Sequence, residues 1–117
     1  MAYKFSIIIP TFNNADYLEL CLNSILKNSF YKHQLIVHIN GLDKATEILL
    51  YKKNISYTKT DTNVGLCSGV NIATKIVNTD YVLYAHDDMY FLPDWDLHLF
   101  NEVKEIKHNN FYLSMTH

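Results

Sequence analysis

Two periodicities alternate along the chain. Short apolar runs rich in β-branched residues read as buried strands, and stretches with apolar residues three and four apart read as helices with one inward face. The first run, residues 5–9, is stopped by Pro10. A polar loop follows, and Asn14 is placed to cap a helix over 15–27 with Leu18, Leu22, Ile25 and Leu26 on its inward stripe. A second buried strand covers 35–39 and is broken by Asn40-Gly41, where Gly41 suits a positive φ. A short helix at 44–52 leads to a third strand at 55–60, whose weak alternation predicts an edge position. The polar loop 61–65 opens a helix over 66–77 with Val70, Ala73, Ile76 and Val77 on its apolar side. A fourth strand at 81–85 runs into His86-Asp87-Asp88. Pro93 suits the first turn of a helix reaching 107, striped by Trp95, Leu99, Val103 and Ile106, and 111–115 reads as a fifth strand.

Strands alternating with helices predict an α/β domain, a mostly parallel sheet with helices on both faces. In such sheets ligands bind beyond the carboxyl ends of the strands. Four polar clusters fall at those ends: 11–14, 40–43, 61–63 and 86–88. Their shared rim is the candidate site.

Composition narrows the chemistry. The 117 residues suit a single domain without repeats or linkers, and no apolar run approaches the ~20 residues that span a bilayer. All ten basic residues are Lys, none is Arg, and the net charge is -2. That composition argues against nucleic acid as a partner, since Arg dominates bidentate phosphate and guanine contacts. It leaves any bound anion to Lys, backbone N–H groups or a metal. Cys21 and Cys67 both fall on predicted helices among apolar neighbours and read as free, buried thiols rather than a disulfide. With no secretory signal pattern, a cytoplasmic location is expected.

Asp87-Asp88 is the strongest local signal. Adjacent carboxylates repel, and a hard divalent cation relieves that repulsion while taking substrate phosphates as further ligands. A solvated acidic turn ahead of Pro93 would show the same spacing. His86 reads as a pocket-lining residue, a phosphate contact or a metal ligand, or as an ordinary polar residue at a strand end. Asn63-Val64-Gly65 opens a helix whose N-terminus favours an anion, without the glycine patterns of dinucleotide or P-loop sites. Lys75 reads as solvated. No nucleophile constellation is visible, since Ser68 lies in Cys67-Ser68-Gly69 rather than GxSxG.

Taken together, these pieces resemble the N-terminal, nucleotide-sugar-binding half of family 2 glycosyltransferases of the GT-A fold. The run Ser6-Ile7-Ile8-Ile9-Pro10-Thr11-Phe12-Asn13-Asn14 is similar to that family's opening strand and loop. Tyr17-Leu18 with Cys21-Leu22 and Ser24-Ile25 matches the register of its first helix. Asn63-Val64-Gly65 followed by Asn71 resembles its "Asn-x-Gly … Asn" segment, and Tyr81-Val82-Leu83 leading to Asp87-Asp88 and Pro93 resembles its DXD region.

The resemblance implies a Rossmann-like sheet truncated before the acceptor half, with residues 1–117 forming one donor-binding unit. It implies nucleotide contacts from Pro10, Thr11, Phe12, Asn13, Asn40, Asp61, Asn63, Gly65, Asn71, His86 and Asp87. It also implies Mn²⁺ or Mg²⁺ held by Asp88 first and Asp87 second, with His86 at the usual first acid. Asn40 stands where the family has an acid, and Val70 where Arg is common. The implied donor is a nucleotide-diphospho-sugar, UDP-sugar foremost. The implied acceptor is a saccharide or other hydroxyl met by the full-length protein, with inversion. No residue maps to the catalytic base, so this part alone is expected to bind nucleotide-sugar weakly at best and not to transfer sugar efficiently. Self-association through an incomplete sheet is also expected. Two other readings stand beside this one: a non-catalytic nucleotide-binding or interaction module, and a receiver domain phosphorylated at Asp61.

Overall fold

The structure, a computed structural model, describes residues 3–105, with side chains in the last helix only to Glu102. The expected fifth strand and the Val103 and Ile106 side chains lie outside the described residues. The elements run β1 (Ser6–Thr11), α1 (Ala15–Asn28), β2 (Gln34–Asn40), α2 (Lys44–Lys53), β3 (Ser56–Thr60), α3 (Leu66–Thr74), β4 (Val82–Tyr84) and α4 (Trp95–Glu105). They form an α/β fold with one four-stranded sheet in the order β3-β2-β1-β4, every pair parallel. β3 lies at an edge, as its weak alternation predicts.

The order fixes which face each helix covers. The chain steps outward from β1 through β2 to β3, then returns across β1 to place β4 on its far side. Right-handed crossovers put helices from the two directions on opposite faces. The period of two along β1 records this. Ile7 and Ile9 pack with Leu18, Leu22 and Ile25 of α1 and Leu50 of α2. Ile8 packs on the opposite face with Ile36 and Ala73, beneath Val70 and Val77.

Several local expectations are corrected. Pro10 does not stop β1, which continues to Thr11. In a parallel strand each residue turns both backbone groups to one neighbour. Ser6 N–H donates to Tyr81 and the Ile8 carbonyl accepts from Ala85, so Pro10 faces the β4 side just beyond the last β1–β4 bond. Its missing N–H therefore costs no ladder bond. α4 begins at Trp95, not Pro93. Asp94 sits at φ 59 and the Leu92 carbonyl accepts from Trp95 N–H, so 92–95 is a turn ahead of the helix. α3 ends at Thr74, and bonds from Lys75, Ile76 and Val77 to residues three earlier tighten the chain beyond it. Leu26 and Ile76 are exposed, and so is Cys67, while Cys21 is buried as expected. Asn14 occupies the cap position of α1, but only its carbonyl takes part, accepting from Leu18 N–H. Among the described residues no helix is long and apolar enough to cross a membrane.

Candidate functional site

The reversal of direction at β1 leaves a gap at the carboxyl rim, where β1 and β4 diverge. This is the switch point at which open parallel sheets bind ligands. A cleft of about 350 Å³ lies there. One wall is the end of β1 with Pro10, Thr11, Phe12 and Asn14, and another is His86 with Asp87 after β4. Asn40 from the end of β2 and Asn63, Gly65 and Leu66 at the start of α3 complete it.

The cleft's floor is built by hydrogen bonds. Thr11 Oγ1 donates to Asp87 Oδ2 at 2.8 Å, joining the two strand ends across the gap. Asn40 is buried and binds the loop before α3. Its Oδ1 accepts from Val64 N–H at 3.3 Å and its Nδ2 donates to the Gly65 carbonyl at 3.4 Å. Asn63 Oδ1 accepts from Gly65 N–H at 2.9 Å, which fits the φ of 89° at Gly65. Below, His38 is fully buried, with Nδ1 2.7 Å from Thr58 Oγ1 and Nε2 3.4 Å from Thr60 Oγ1. Burial pushes its pKa below the ordinary histidine value. Phe12 is exposed beside Gly41, whose positive φ of 103° turns the chain so that a β-carbon there would be 3.6 Å from the ring.

The segment carrying the acids rests on Cys21. Its thiol lies 3.6 Å from the His86 carbonyl as a donor. Burial, then the charges of Asp87 and Asp88, push the Cys21 pKa up to about 12, so it stays a thiol and keeps that bond. Met89 N–H donates to the His86 carbonyl at 3.3 Å, closing a turn with Asp87 and Asp88 at its centre. Asp87 is half-buried and faces the cleft, whereas Asp88 is exposed and outside the lining.

Eight of the residues named from sequence thus meet at one cleft: Pro10, Thr11, Phe12, Asn40, Asn63, Gly65, His86 and Asp87. Asn13, Asp61, Asn71 and Asp88 are exposed and outside its lining. Asn14, placed on the rim by the 11–14 cluster, lines the cleft as well, and sequence reasoning missed only Leu66 among the lining residues, where adjacency to Gly65 was the signal available. Among the described residues no Lys lines the cleft.

The same arrangement of chain is found in known proteins. The family model "Glycosyl transferase family 2" matches residues 6–117. An uncharacterized glycosyltransferase of Mycoplasma genitalium is 36% identical over 100 residues, covering 79% of this chain and 34% of that protein. The poly(ribitol-phosphate) beta-N-acetylglucosaminyltransferase TarS of Staphylococcus aureus is 31% identical over 94 residues, covering 74% of this chain and 16% of TarS. The crystal structure of S. aureus TarS residues 1–349 superposes with a TM-score of 0.76 at 26% identity, over 87% of this chain and 32% of that one. The chain thus spans about a third or less of these relatives' lengths. With the family's pattern present from β1 through the acidic turn, and the fold shared with TarS, the chain belongs to glycosyl transferase family 2.

Proposed function

We propose that this chain is the donor-binding part of a metal-dependent, inverting glycosyltransferase that moves a sugar from a nucleotide-diphospho-sugar to an acceptor hydroxyl. The observation that carries the reading is the placement of Asp87, tied to Thr11 at the switch-point cleft in a lining that holds no Lys among the described residues. A diphosphate entering that cleft would meet a carboxylate and, among the described residues, no Lys. A divalent cation makes the charges compatible.

The donor set fits such an ion. One Asp87 oxygen accepts from Thr11, and the other has no partner among the described residues. Among the described residues no group of three His, Cys, Asp or Glu side chains gathers to hold a metal. Few protein ligands suit Mn²⁺ or Mg²⁺, which complete their shells with water and substrate phosphates. Asp87 would hold the ion from within the cleft, with Asp88 as the neighbouring second carboxylate. When bound, the ion would offset the charge gathering on the departing diphosphate. The chain's own residues do the positioning. The amino end of α3 adds a partial positive charge beside the phosphates, and Thr11 and Phe12 flank the base and ribose. UDP is the proposed nucleotide. By their names, two relatives, TarS and a Bacillus spizizenii glucosyltransferase, act on poly(ribitol-phosphate). A hydroxyl-bearing acceptor of that general kind, met by chain outside these residues, completes the proposal.

Calorimetric titration of UDP into the 117-residue chain with Mn²⁺ tests it. Asp87→Ala is expected to weaken binding by at least the ~10–100-fold that loss of even an outer-shell metal partner costs. Undiminished metal-dependent binding by that variant would sink the assignment. A parent chain that binds no nucleotide in any metal would favour a non-catalytic interaction module.

A further inference from the structure

We infer that His86 is a nitrogen ligand of the cleft's cation and turns its preference from magnesium toward borderline ions. This rests on the metal-dependent reading above. His86 stands immediately before Asp87, and both residues line the same cleft. Its backbone is fixed on both groups. The carbonyl accepts from Cys21 Sγ and from Met89 N–H, and its N–H points at Met89 Sδ at 3.3 Å.

The ring nitrogens set His86 apart from the two buried histidines. His33 commits both, with Nδ1 accepting from Phe5 N–H and Nε2 bound to Asp96. His38 commits both to Thr58 and Thr60. Among the described residues His86 meets one side-chain partner, the Tyr84 hydroxyl 3.5 Å from Nδ1, and the two rings make an edge contact at 5.0 Å and 69°. In the tautomer that donates Nδ1–H to the Tyr84 oxygen, Nε2 keeps its lone pair. That is the arrangement in which metal-binding imidazoles are held, one nitrogen oriented by an oxygen and the other on the ion. His86 is exposed and lines the cleft, within reach of solvent and ligand. Carboxylate and water suit magnesium, whereas an imidazole nitrogen raises affinity for manganese and, further along the series, cobalt.

The test adds Mn²⁺ and UDP to the 117-residue chain and records electron spin echo modulation from a directly bound imidazole nitrogen. The parent should show it, and His86→Asp and His86→Gln should not. In His86→Asp the ratio of UDP affinity in Co²⁺ to that in Mg²⁺ should fall about tenfold or more. If the modulation survives in both variants and the ratio holds in His86→Asp while Asp87→Ala still weakens binding, the inference about His86 is overturned and the donor-site reading stands. If the parent binds no UDP with any of the three ions, both are overturned.

Discussion

Gly69 holds α3 tightly against the sheet. A β-carbon there would lie 2.8 Å from His38 Cδ2 and 3.3 Å from Asn40 Nδ2. Neither neighbour can yield cheaply: the His38 ring is bound at both nitrogens, and the Asn40 amide holds Val64 and Gly65. Two effects compete in Gly69→Ala. Helix propensity would gain up to ~1 kcal/mol, and overpacking a filled core costs about 1–3 kcal/mol. The contact distance decides for overpacking. A lower urea midpoint is expected, with weaker UDP binding because the start of α3 shifts away from the cleft. An unchanged or higher midpoint would show that His38 yields easily. Asn40 also marks a limit of sequence reading. Its position at a strand end was legible, and so was a polar role toward ligand. Its grip on the 64–65 backbone was not, because the return of a loop onto a strand 24 residues earlier leaves no periodic trace.

At the scale of elements, the segment between the acidic turn and α4 is latched to the end of α1. Ser24 Oγ accepts from Phe91 N–H at 2.9 Å while donating to the Cys21 carbonyl at 2.7 Å. Asn28 Nδ2 donates to the Phe91 carbonyl at 2.7 Å, and Trp95 Nε1 donates to Ser29 Oγ at 2.9 Å. The latch holds the chain that leaves His86-Asp87-Asp88, so it anchors the cleft wall from behind. Ser24→Ala strands a buried Phe91 N–H, a loss of about 1–3 kcal/mol. Denaturation should show that loss, and hydrogen exchange should show Phe91 losing protection more than the β1 amides. Uniform loss across both would mean that the segment is not an independent latch. The helices and strands themselves were legible, because periods of 3.6 and 2 follow from which face is buried. The exceptions have tertiary causes. Pro10 stays in β1 because β4 has already parted from it, which no local rule states. Leu26 fits an apolar stripe that the neighbouring elements do not extend to cover.

For the whole molecule, the rim opposite the cleft carries a buried polar lock with consequences for acid stability. Asp96 accepts from Phe30 N–H at 2.8 Å, Tyr31 N–H at 2.7 Å and His33 Nε2 at 2.7 Å. Phe5 N–H donates to His33 Nδ1 at 3.2 Å, so the folded state needs the neutral ring. Burial pushes the His33 pKa below its ordinary 6.5, against the pull of Asp96, and burial also lowers that of His38. For Asp96, burial pushes upward, but the Phe30 and Tyr31 amides and His33 outweigh it and hold the carboxyl below 3.8. The signs agree. Below pH 6.5 the unfolded chain takes up protons that folded His33 and His38 refuse, so their contribution is whole above that pH and is lost as pH falls toward their folded pKa values. Each histidine adds a slope of up to about 1.4 kcal/mol per pH unit in that window. Asp96 adds a further loss only below 3.8. Urea unfolding across a pH series should therefore give constant stability above neutrality and a decline that starts near pH 6.5, above the range in which Asp96 is protonated. Stability that holds flat to pH 5 would mean that folded His33 and His38 both take up protons as readily as the unfolded chain, and the account of the lock would fall.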